Sequence, residues 1–162
     1  MADTQQQTST DTTFRLMYSS RDRVSPEDRR DEFASIFSQA RSDNQKRKIT
    51  GALLLSEEWF VQVLEGDEPA VRSLYADIER DPRHTDIQLL SAERVPERLF
   101  ARWSMAEVAL DDSFLPLIAR VSELSPADRG QRHPEREALL AAMRQALDDA
   151  GHPADVPSGP TA

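Results

Sequence analysis

The amino-acid sequence predicts an α+β protein built on a ferredoxin-like sheet, with its elements in the order β-α-β-β-α-β-β. Strand-like and helix-like segments alternate in this order between residues 13 and 110. Two split β-α-β units with right-handed crossovers place both helices on one face of such a sheet. Two more amphipathic segments follow, at 114–124 and 134–151, and we expect them to cover the other face or to form an oligomer interface.

The first strand and the first helix are predicted at residues 14–19 and 25–42. In FRLMYS, side chains alternate between the two faces of a strand, with Phe14, Leu16 and Tyr18 on one of them. The helix is predicted to begin with Ser25 as its N-cap and Pro26 at the first helical position. Its apolar stripe has helical spacing: Phe33, Ile36, Phe37 and Ala40.

The remaining elements complete the sheet and its cover. Residues 49–55 and 59–64 are predicted as a hairpin joined by Ser56-Glu57-Glu58. A second helix begins near Asp67 and ends at Asp81-Pro82, because the residue before proline disfavours helical geometry. Strands are predicted at 86–95 and 100–108, and the last helix at 134–151 begins with Pro134 and stops at Gly151.

Composition excludes several classes of function. The 162 residues carry a formal net charge of -9, which argues against binding to nucleic acid or to an anionic membrane surface. Cysteine is absent, so disulfides, thiolate metal sites and thiol nucleophiles are excluded. The sequence has no apolar run of the roughly 20 residues that a membrane span needs, and its N-terminus lacks the features of a signal peptide. We therefore expect a cytoplasmic location.

A polar side chain interrupts the core face of the third predicted strand. In WFVQVLEG, Gln62 lies between Phe60 and Leu64 on the face that the helices should cover. A buried amide without partners costs about 1–3 kcal/mol, so a hydrogen-bonding partner is expected. If the first and third strands are neighbours, the hydroxyl of Tyr18 can supply that bond.

Other polar residues are predicted at the same end of the two helices. Asn44 follows the first helix, and Arg83 and His84 follow the second. Each has an ordinary structural explanation alone, a helix cap for Asn44 and a surface position for His84. Together with Ile36 and Ile78 they would frame a slot with apolar walls and a polar rim, which suits a flat ligand.

These residues occur in runs that resemble the BLUF domains, blue-light sensors that bind a flavin without a covalent bond. The matching runs are RLMYSS, SDNQKRKITGALLL, FVQVLEG, LYADIERDPRH and RWSMAEV, all between residues 14 and 108. The resemblance implies a flavin-binding domain at 13–110 and a helical extension at 111–150. The flanking residues 1–12 and 151–162 are expected to be disordered.

The resemblance also implies roles for particular residues. Tyr18 would give an electron and a proton to the excited flavin, and Gln62 would rearrange as the switch between them. Asn44 would bind the flavin carbonyl edge, and Ile36 and Ile78 would flank the ring. Arg83 and His84 would lie near the far edge of the ring and the ribityl chain. Phe60 and Gln62 complete the predicted cofactor-binding set. Trp103 and Met105 would relay the change. The family often has serine at Ala40, and asparagine or histidine at Asp43, which leaves the lifetime of the light state and the tail contacts open.

The cofactor implied is FAD, although FMN or riboflavin would share the ring contacts. Too few residues follow the sensor for a cyclase or phosphodiesterase domain, so we expect no enzyme activity. The output would be through protein contacts, with a homo-oligomer and an unidentified downstream protein partner. Two alternatives remain: a flavin-binding module without photochemistry, and a small acylphosphatase-like hydrolase that uses Arg83 and Asn44 but lacks a glycine-rich anion-binding turn.

Overall fold

The computed structural model of the chain describes residues 13–22, 25, 27–55, 59–82, 84–122, 134–151 and 153–156. Within these residues the strands are β1 (Thr13–Asp22), β2 (Thr50–Leu55), β3 (Trp59–Gly66), β4 (His84–Val95) and β5 (Ala106–Val108). The helices are α1 (Arg29–Arg47), α2 (Glu68–Glu79), α3 (Leu115–Ser122) and α4 (Pro134–Asp149), with a 3₁₀ turn at Asp112–Phe114. None of the described helices is long and apolar enough to cross a membrane.

The strands form one mixed sheet in the order β4-β1-β3-β2-β5. Strand β1 pairs antiparallel with both β3 and β4, β2 pairs antiparallel with β3, and β5 pairs parallel with β2. The predicted ferredoxin-like α+β fold is therefore confirmed. In this topology β1 and β3 are central neighbours, which brings their core-facing side chains together.

Each face of the sheet carries its own hydrophobic core. On the first face, side chains of α1 and α2 such as Ile36 and Val71 pack with those of β1 and β3. On the second face, Ile118 of α3 and Leu139 of α4 pack with Val63 and its neighbours. The two C-terminal helices thus cover the sheet of their own chain, which resolves the alternative left open by the sequence.

The first helix differs from its predicted bounds at both ends. It begins at Arg29, because Ser25 forms a preceding turn in which its carbonyl oxygen accepts from the Asp28 amide at 3.1 Å. Pro26 lies outside the described residues. At the other end, α1 continues to Arg47 and closes with Lys48 at a φ of 57°. Asn44 is therefore in the last turns of α1 and not in a loop after it.

The last predicted strand, 100–108, is reduced to Ala106–Val108. The amides of Leu99 and Phe100 donate to the buried carboxylate of Glu65, each at 2.8 Å, and not to a neighbouring strand. The Trp103 amide closes a turn onto the Phe100 carbonyl at 3.3 Å. Side-chain and turn bonds thus replace most of the strand ladder before Ala106, where the Gly51 amide of β2 still donates to the Trp103 carbonyl at 3.0 Å.

The predictions for the connections and termini have separate outcomes. The Ser56–Glu58 connection and the segments 1–12 and 157–162 lie outside the described residues. Residues 153–156 differ from the expected disordered tail, because the amides of Asp155 and Val156 donate to the Arg102 carbonyl at 3.0 and 3.1 Å. This segment lies against the loop between β4 and β5.

Candidate functional site

The centre of the site is a cross-strand pair of polar side chains. Tyr18 of β1 lies directly opposite Gln62 of β3 in the antiparallel register. The Tyr18 hydroxyl donates a hydrogen bond to Gln62 Oε1, and both side chains are almost fully buried, at 1% and 5% exposure. The pairing inferred from the sequence is present, and it satisfies one end of the buried amide.

The other end of the Gln62 amide faces the loop before β5. Gln62 Nε2 donates to the Met105 sulfur at 3.4 Å. A thioether is a weak acceptor, so this bond holds the amide less firmly than the phenol does. Met105 packs with the first-face core, whereas Trp103 packs with the second-face core. The two candidate relay residues, expected from strand alternation to share a face, lie on opposite sides because no strand is present at 103–105.

Asn44 contributes an acceptor that has no partner among the described residues. Its Nδ2 donates to the Ser104 carbonyl at 2.6 Å, which fixes the amide orientation because a carbonyl can only accept. Asn44 Oδ1 is buried and makes no hydrogen bond to any part of the chain that the structure describes. A buried acceptor of this kind costs about 1–3 kcal/mol, so its position next to a cavity points to a bound donor.

These side chains converge on a cavity of about 300 Å³ between α1, α2 and the sheet. Its apolar walls come from both helices and from β2, and its polar groups come from β1, β3, α1 and the end of α2. The lining residues are Tyr18, Ile36, Gln39, Ala40, Asp43, Asn44, Leu53, Gln62, Leu74, Asp77, Ile78 and Asp81. The lining combines five apolar side chains with polar groups that converge on the slot, which suits a flat organic ligand with donors and acceptors at its edge.

The structure brings together five of the predicted site residues: Tyr18, Ile36, Asn44, Gln62 and Ile78. Phe60 is absent from the described lining of the cavity and packs edge-to-face on Phe33, with ring centroids 5.6 Å apart. Its assignment to the cofactor-binding set is therefore without support from the geometry. Arg83 lies outside the described residues, and of His84 only the backbone, at the start of β4, is described.

Several lining residues were not selected from the sequence as site residues. Leu53 lies opposite Gln62 in β2, so strand alternation combined with the β2–β3 register could have placed it at the site. Leu74, Asp77 and Asp81 follow one another, with the predicted Ile78 among them, at helical spacing along and just past α2. The two carboxylates therefore share the helix face of the apolar stripe, and this spacing could have placed them at the site from the sequence alone.

The surroundings of Tyr18 keep its phenol protonated. Burial raises the pKa of Tyr18 far above its usual value of 10.0, and Tyr75 and Asp81 raise it further. The Tyr75 ring lies 5.4 Å from the Tyr18 ring, centroid to centroid. Tyr18 therefore holds its proton across the physiological pH range, and the hydrogen bond directs that proton at Gln62 Oε1.

A ferredoxin-like sheet with this cavity beneath its helices forms a small domain with a site for a flat organic ligand. The family model of BLUF, sensors of blue-light using FAD, matches residues 13–106. The chain belongs to the BLUF family and is a blue-light sensor that uses a flavin.

Curated relatives share this domain within much longer proteins. The photoactivated adenylate cyclase subunit beta of Euglena gracilis is 34% identical over 97 residues, which are 58% of this chain and 11% of that protein. The blue light- and temperature-regulated antirepressor BluF of Escherichia coli is 37% identical over 75 residues, 46% of this chain and 18% of that protein. The chain thus spans only a small part of the curated relatives it matches.

Solved structures of short BLUF proteins cover most of the chain. BlrB in its dark state matches with a TM-score of 0.68 and 28% identity, covering 85% of this chain and 99% of that one. The photo-activated state of BlsA matches with a TM-score of 0.69 and 26% identity, covering 82% and 94%. Klebsiella pneumoniae BlrP1 with FMN and cyclic diGMP gives a TM-score of 0.59 and 31% identity, over 82% of this chain and 34% of that one.

BLUF domains bind FAD or FMN, and the residues of this cavity fit the flavin ring system. A volume of about 300 Å³ is at the lower end for ligand pockets, which suits the ring portion of the cofactor and not its whole length. The unpartnered Asn44 Oδ1 matches the single N–H donor that lies between two carbonyls of the flavin ring. Asn44 therefore offers an acceptor to the ring, whereas its donor is already used by Ser104.

Proposed function

We propose that Tyr18 and Gln62 form the light-driven switch of this sensor and that residues Trp103–Met105, here called the relay segment, carry its state away from the flavin. The observation that supports this most directly is the bonding of one amide at both ends, with Oε1 on the Tyr18 hydroxyl and Nε2 on the Met105 sulfur. A bound flavin would supply the absorption of blue light and, in its excited state, an electron acceptor. Tyr18 would supply that electron, and its phenolic proton would move along the hydrogen bond to Gln62 Oε1, which would accept it.

Return of the electron and proton to Tyr18 leaves the amide free to settle in a second arrangement. Rotation of Gln62 exchanges its donor and acceptor ends without a change in volume. In the rotated amide Nε2 faces the Tyr18 oxygen, which can accept. The amide oxygen then faces Met105, and a thioether has no hydrogen to donate. The bond to Met105 is thus lost in one arrangement and present in the other, so the switch acts on the relay segment.

The relay segment reaches both sides of the sheet. The Met105 carbonyl accepts from Arg41 Nε of α1 at 3.3 Å, on the flavin side. The guanidinium groups of Arg102 and Arg144 lie 5.2 and 5.1 Å from the centroid of the Trp103 ring. Arg144 belongs to α4, so a shift of Met105 on one face is sensed by a helix on the other.

The test is an absorption spectrum of the purified protein before and after blue light. We expect the flavin band to shift slightly to the red and to recover in the dark, because rotation of Gln62 exchanges the donor and acceptor groups that the amide presents at the cavity. Gln62→Leu should keep the flavin but abolish the shift. Gln145→Leu replaces an exposed glutamine on α4 and should shift like the original protein. A bound flavin that never shifts would contradict the switch and favour a flavin-binding module without photochemistry.

We further propose that the output is a change in protein contacts, through a homo-oligomer and a downstream protein partner. Support comes from the position of α3 and α4, which pack directly on the sheet face that Trp103 reaches. The second apolar face that suggested an oligomer is covered by these helices, so an oligomer would have to use another surface. Sedimentation velocity in the dark and under blue light tests the proposal. A change in sedimentation with light supports it, and monomers in both conditions would remove the homo-oligomer.

A further inference from the structure

We infer that Asp155 is a positioning residue for the flavin site, and that it couples the segment Pro153–Val156, here called the C-terminal segment, to the light switch. The inference rests on the proposed switch of Tyr18 and Gln62. Its basis is a continuous series of hydrogen bonds from Asp155 through Ser104 to Asn44. Neither the motifs of the sequence nor the cavity lining includes Asp155.

Asp155 holds Ser104 at two points. Its Oδ1 accepts from the Ser104 backbone amide at 2.8 Å, and its Oδ2 accepts from the Ser104 hydroxyl. Bonds to a carboxylate are stronger than bonds between neutral groups. The backbone amides of Asp155 and Val156 add two bonds to the Arg102 carbonyl, at 3.0 and 3.1 Å. The C-terminal segment is thus bonded on both sides of Trp103, to residues 102 and 104.

Ser104 in turn fixes two groups of the flavin site. Its carbonyl accepts from Asn44 Nδ2 at 2.6 Å, and this bond aims Asn44 Oδ1 as the unpartnered acceptor. The next residue is Met105, whose sulfur accepts from the switch amide of Gln62. Ser104 itself is fully buried, with its exposed fraction at 0%. Asp155 therefore limits the movement of the peptide that joins the flavin acceptor to the switch contact.

The coupling must act in both directions. Suppose that the hydrogen bonds between Asp155 and Ser104 change the free energy difference between the two switch arrangements. The arrangement of the switch then changes the free energy of binding the C-terminal segment by the same amount. Loss of the Met105 contact on amide rotation loosens the relay segment. Light then weakens the four bonds between the C-terminal segment and residues 102–104.

The experiment compares Asp155→Ala with Asp155→Asn and Asp149→Ala. Asparagine is isosteric and can keep both contacts, since its oxygen accepts from the Ser104 amide and its NH₂ donates to the Ser104 hydroxyl. Asp149 is an exposed carboxylate at the C-terminal end of α4 that accepts from Gln145 Nε2 at 2.8 Å. Its substitution by alanine removes the same charge as Asp155→Ala but leaves the contacts of Ser104 in place. The first readout is the rate of dark recovery. The second is amide hydrogen exchange at Ser104, Asp155 and Val156, in the dark and under light.

For Asp155→Ala we expect dark recovery to be about fivefold to tenfold faster, because a less restrained relay segment lowers the barrier between the two arrangements. The Ser104 amide should exchange at least about tenfold faster in the dark. Asp155→Asn and Asp149→Ala should stay within about twofold of the original protein in both readouts. In the original protein, light should speed exchange at Asp155 and Val156.

Two results would overturn the inference while leaving the switch intact. In the first, Asp155→Ala recovers at the original rate although Ser104 exchanges faster, which makes Asp155 only an anchor for the C-terminal segment. In the second, light leaves exchange at Asp155 and Val156 unchanged. If no variant, nor the original protein, shows a light-induced shift, the proposed switch is what fails. The dark exchange of Ser104 would then still report whether Asp155 holds it.

Discussion

Tyr18 combines two properties that the switch needs, a proton it keeps and a partner that can receive it. Its hydroxyl lies inside the sheet core beside Tyr75 and Asp81, so the phenolate form is disfavoured by burial first and by these neighbours second. The hydrogen bond to Gln62 Oε1 then fixes the direction in which the proton can leave. The same burial that prepares the switch also makes the stability of the fold depend on pH.

We predict that Tyr18 lowers the stability of the fold as pH rises above about 10. The unfolded chain releases the phenolic proton near its ordinary pKa of 10.0, whereas the folded chain retains it because burial raises the pKa. The unfolded state therefore binds fewer protons, and the free energy of unfolding falls by about 1.4 kcal/mol per pH unit from this group. Below about pH 10 the contribution of Tyr18 is complete and constant.

Urea unfolding of the original protein and of Tyr18→Phe between pH 8 and 11.5 measures this effect. The difference in unfolding free energy between the two proteins should be constant below about pH 10. Above that pH the original protein should lose about 1.4 kcal/mol per pH unit relative to Tyr18→Phe. A difference that stays constant across the whole range would show that Tyr18 ionises as readily in the fold as in the unfolded chain. The light-induced shift of the original protein should persist at pH 10, since the folded phenol is still protonated there.

Among the elements, β2 and β3 place Leu53 and Gln62 at the cavity, and their close approach depends on Gly51. A Cβ atom at Gly51 would lie 2.0 Å from the Val63 carbonyl oxygen, a backbone atom that cannot move without the strand. We predict that Gly51→Ala displaces β2 from β3 and lowers stability by more than about 3 kcal/mol. Because Met105 Cε is also only 3.4 Å from that position, the switch contact should be disturbed as well.

Gly66→Ala is the matched control for this substitution. It adds the same methyl group to the other strand of the pair, where the nearest atom is Ile49 Cγ1 at 3.3 Å, part of a side chain. We expect a loss below about 1.5 kcal/mol there, measured by urea unfolding under the same conditions. Equal losses for the two alanine variants would contradict the steric explanation.

How much of each element could be predicted depends on where its determinants lie in the chain. The stripe of α1 is local, and its next position after Ala40 is Asn44, so the core-facing position of that amide was readable from the sequence. The end of α1 was not, because Lys48 takes the left-handed conformation that glycine usually fills. The Tyr18–Gln62 pair followed from alternation plus one assumption of strand order.

The loop before β5 and the C-terminal segment could not be predicted by local patterns. The Leu99 and Phe100 amides are bonded by Glu65, a residue 34 and 35 positions away. Ser104 is bonded by Asp155, 51 positions later and in a stretch rich in proline, glycine and alanine that reads as disordered. Local periodicity carries no information on such partners, so the strand was predicted too long and these bonds were missed.

In the whole molecule, the sheet is a shared middle layer between a flavin-binding face and an output face. The cavity lies under α1 and α2, whereas α3 and α4 pack on the opposite side. The relay segment places Met105 on the first face and Trp103 on the second, so one short stretch of chain contacts both cores. Because β5 is an edge strand, the relay segment just before it connects the two faces at that edge of the sheet.

This arrangement predicts that both faces unfold as one cooperative unit. The two tryptophans of the chain, Trp59 and Trp103, both pack on the second-face core, whereas the bound flavin reports on the first face. Urea unfolding followed by tryptophan fluorescence and by flavin absorption should therefore give coincident transitions. Leu139→Ala removes a fully buried α4 side chain and should lower stability by about 2–5 kcal/mol in both signals, although Leu139 is absent from the cavity lining.

Leu115→Ala is the control, because Leu115 is 39% exposed at the start of α3 and should change stability by no more than about 0.5 kcal/mol. If Leu139→Ala moved only the fluorescence transition and left the flavin transition in place, the C-terminal helices would be a separate cooperative unit. The shared sheet could then not transmit the state of the switch by packing alone. Coincident shifts would instead mean that the packing of α4 and the flavin face are energetically coupled. Such coupling is required if a change at Met105 on one face is to affect Trp103 and α4 on the other.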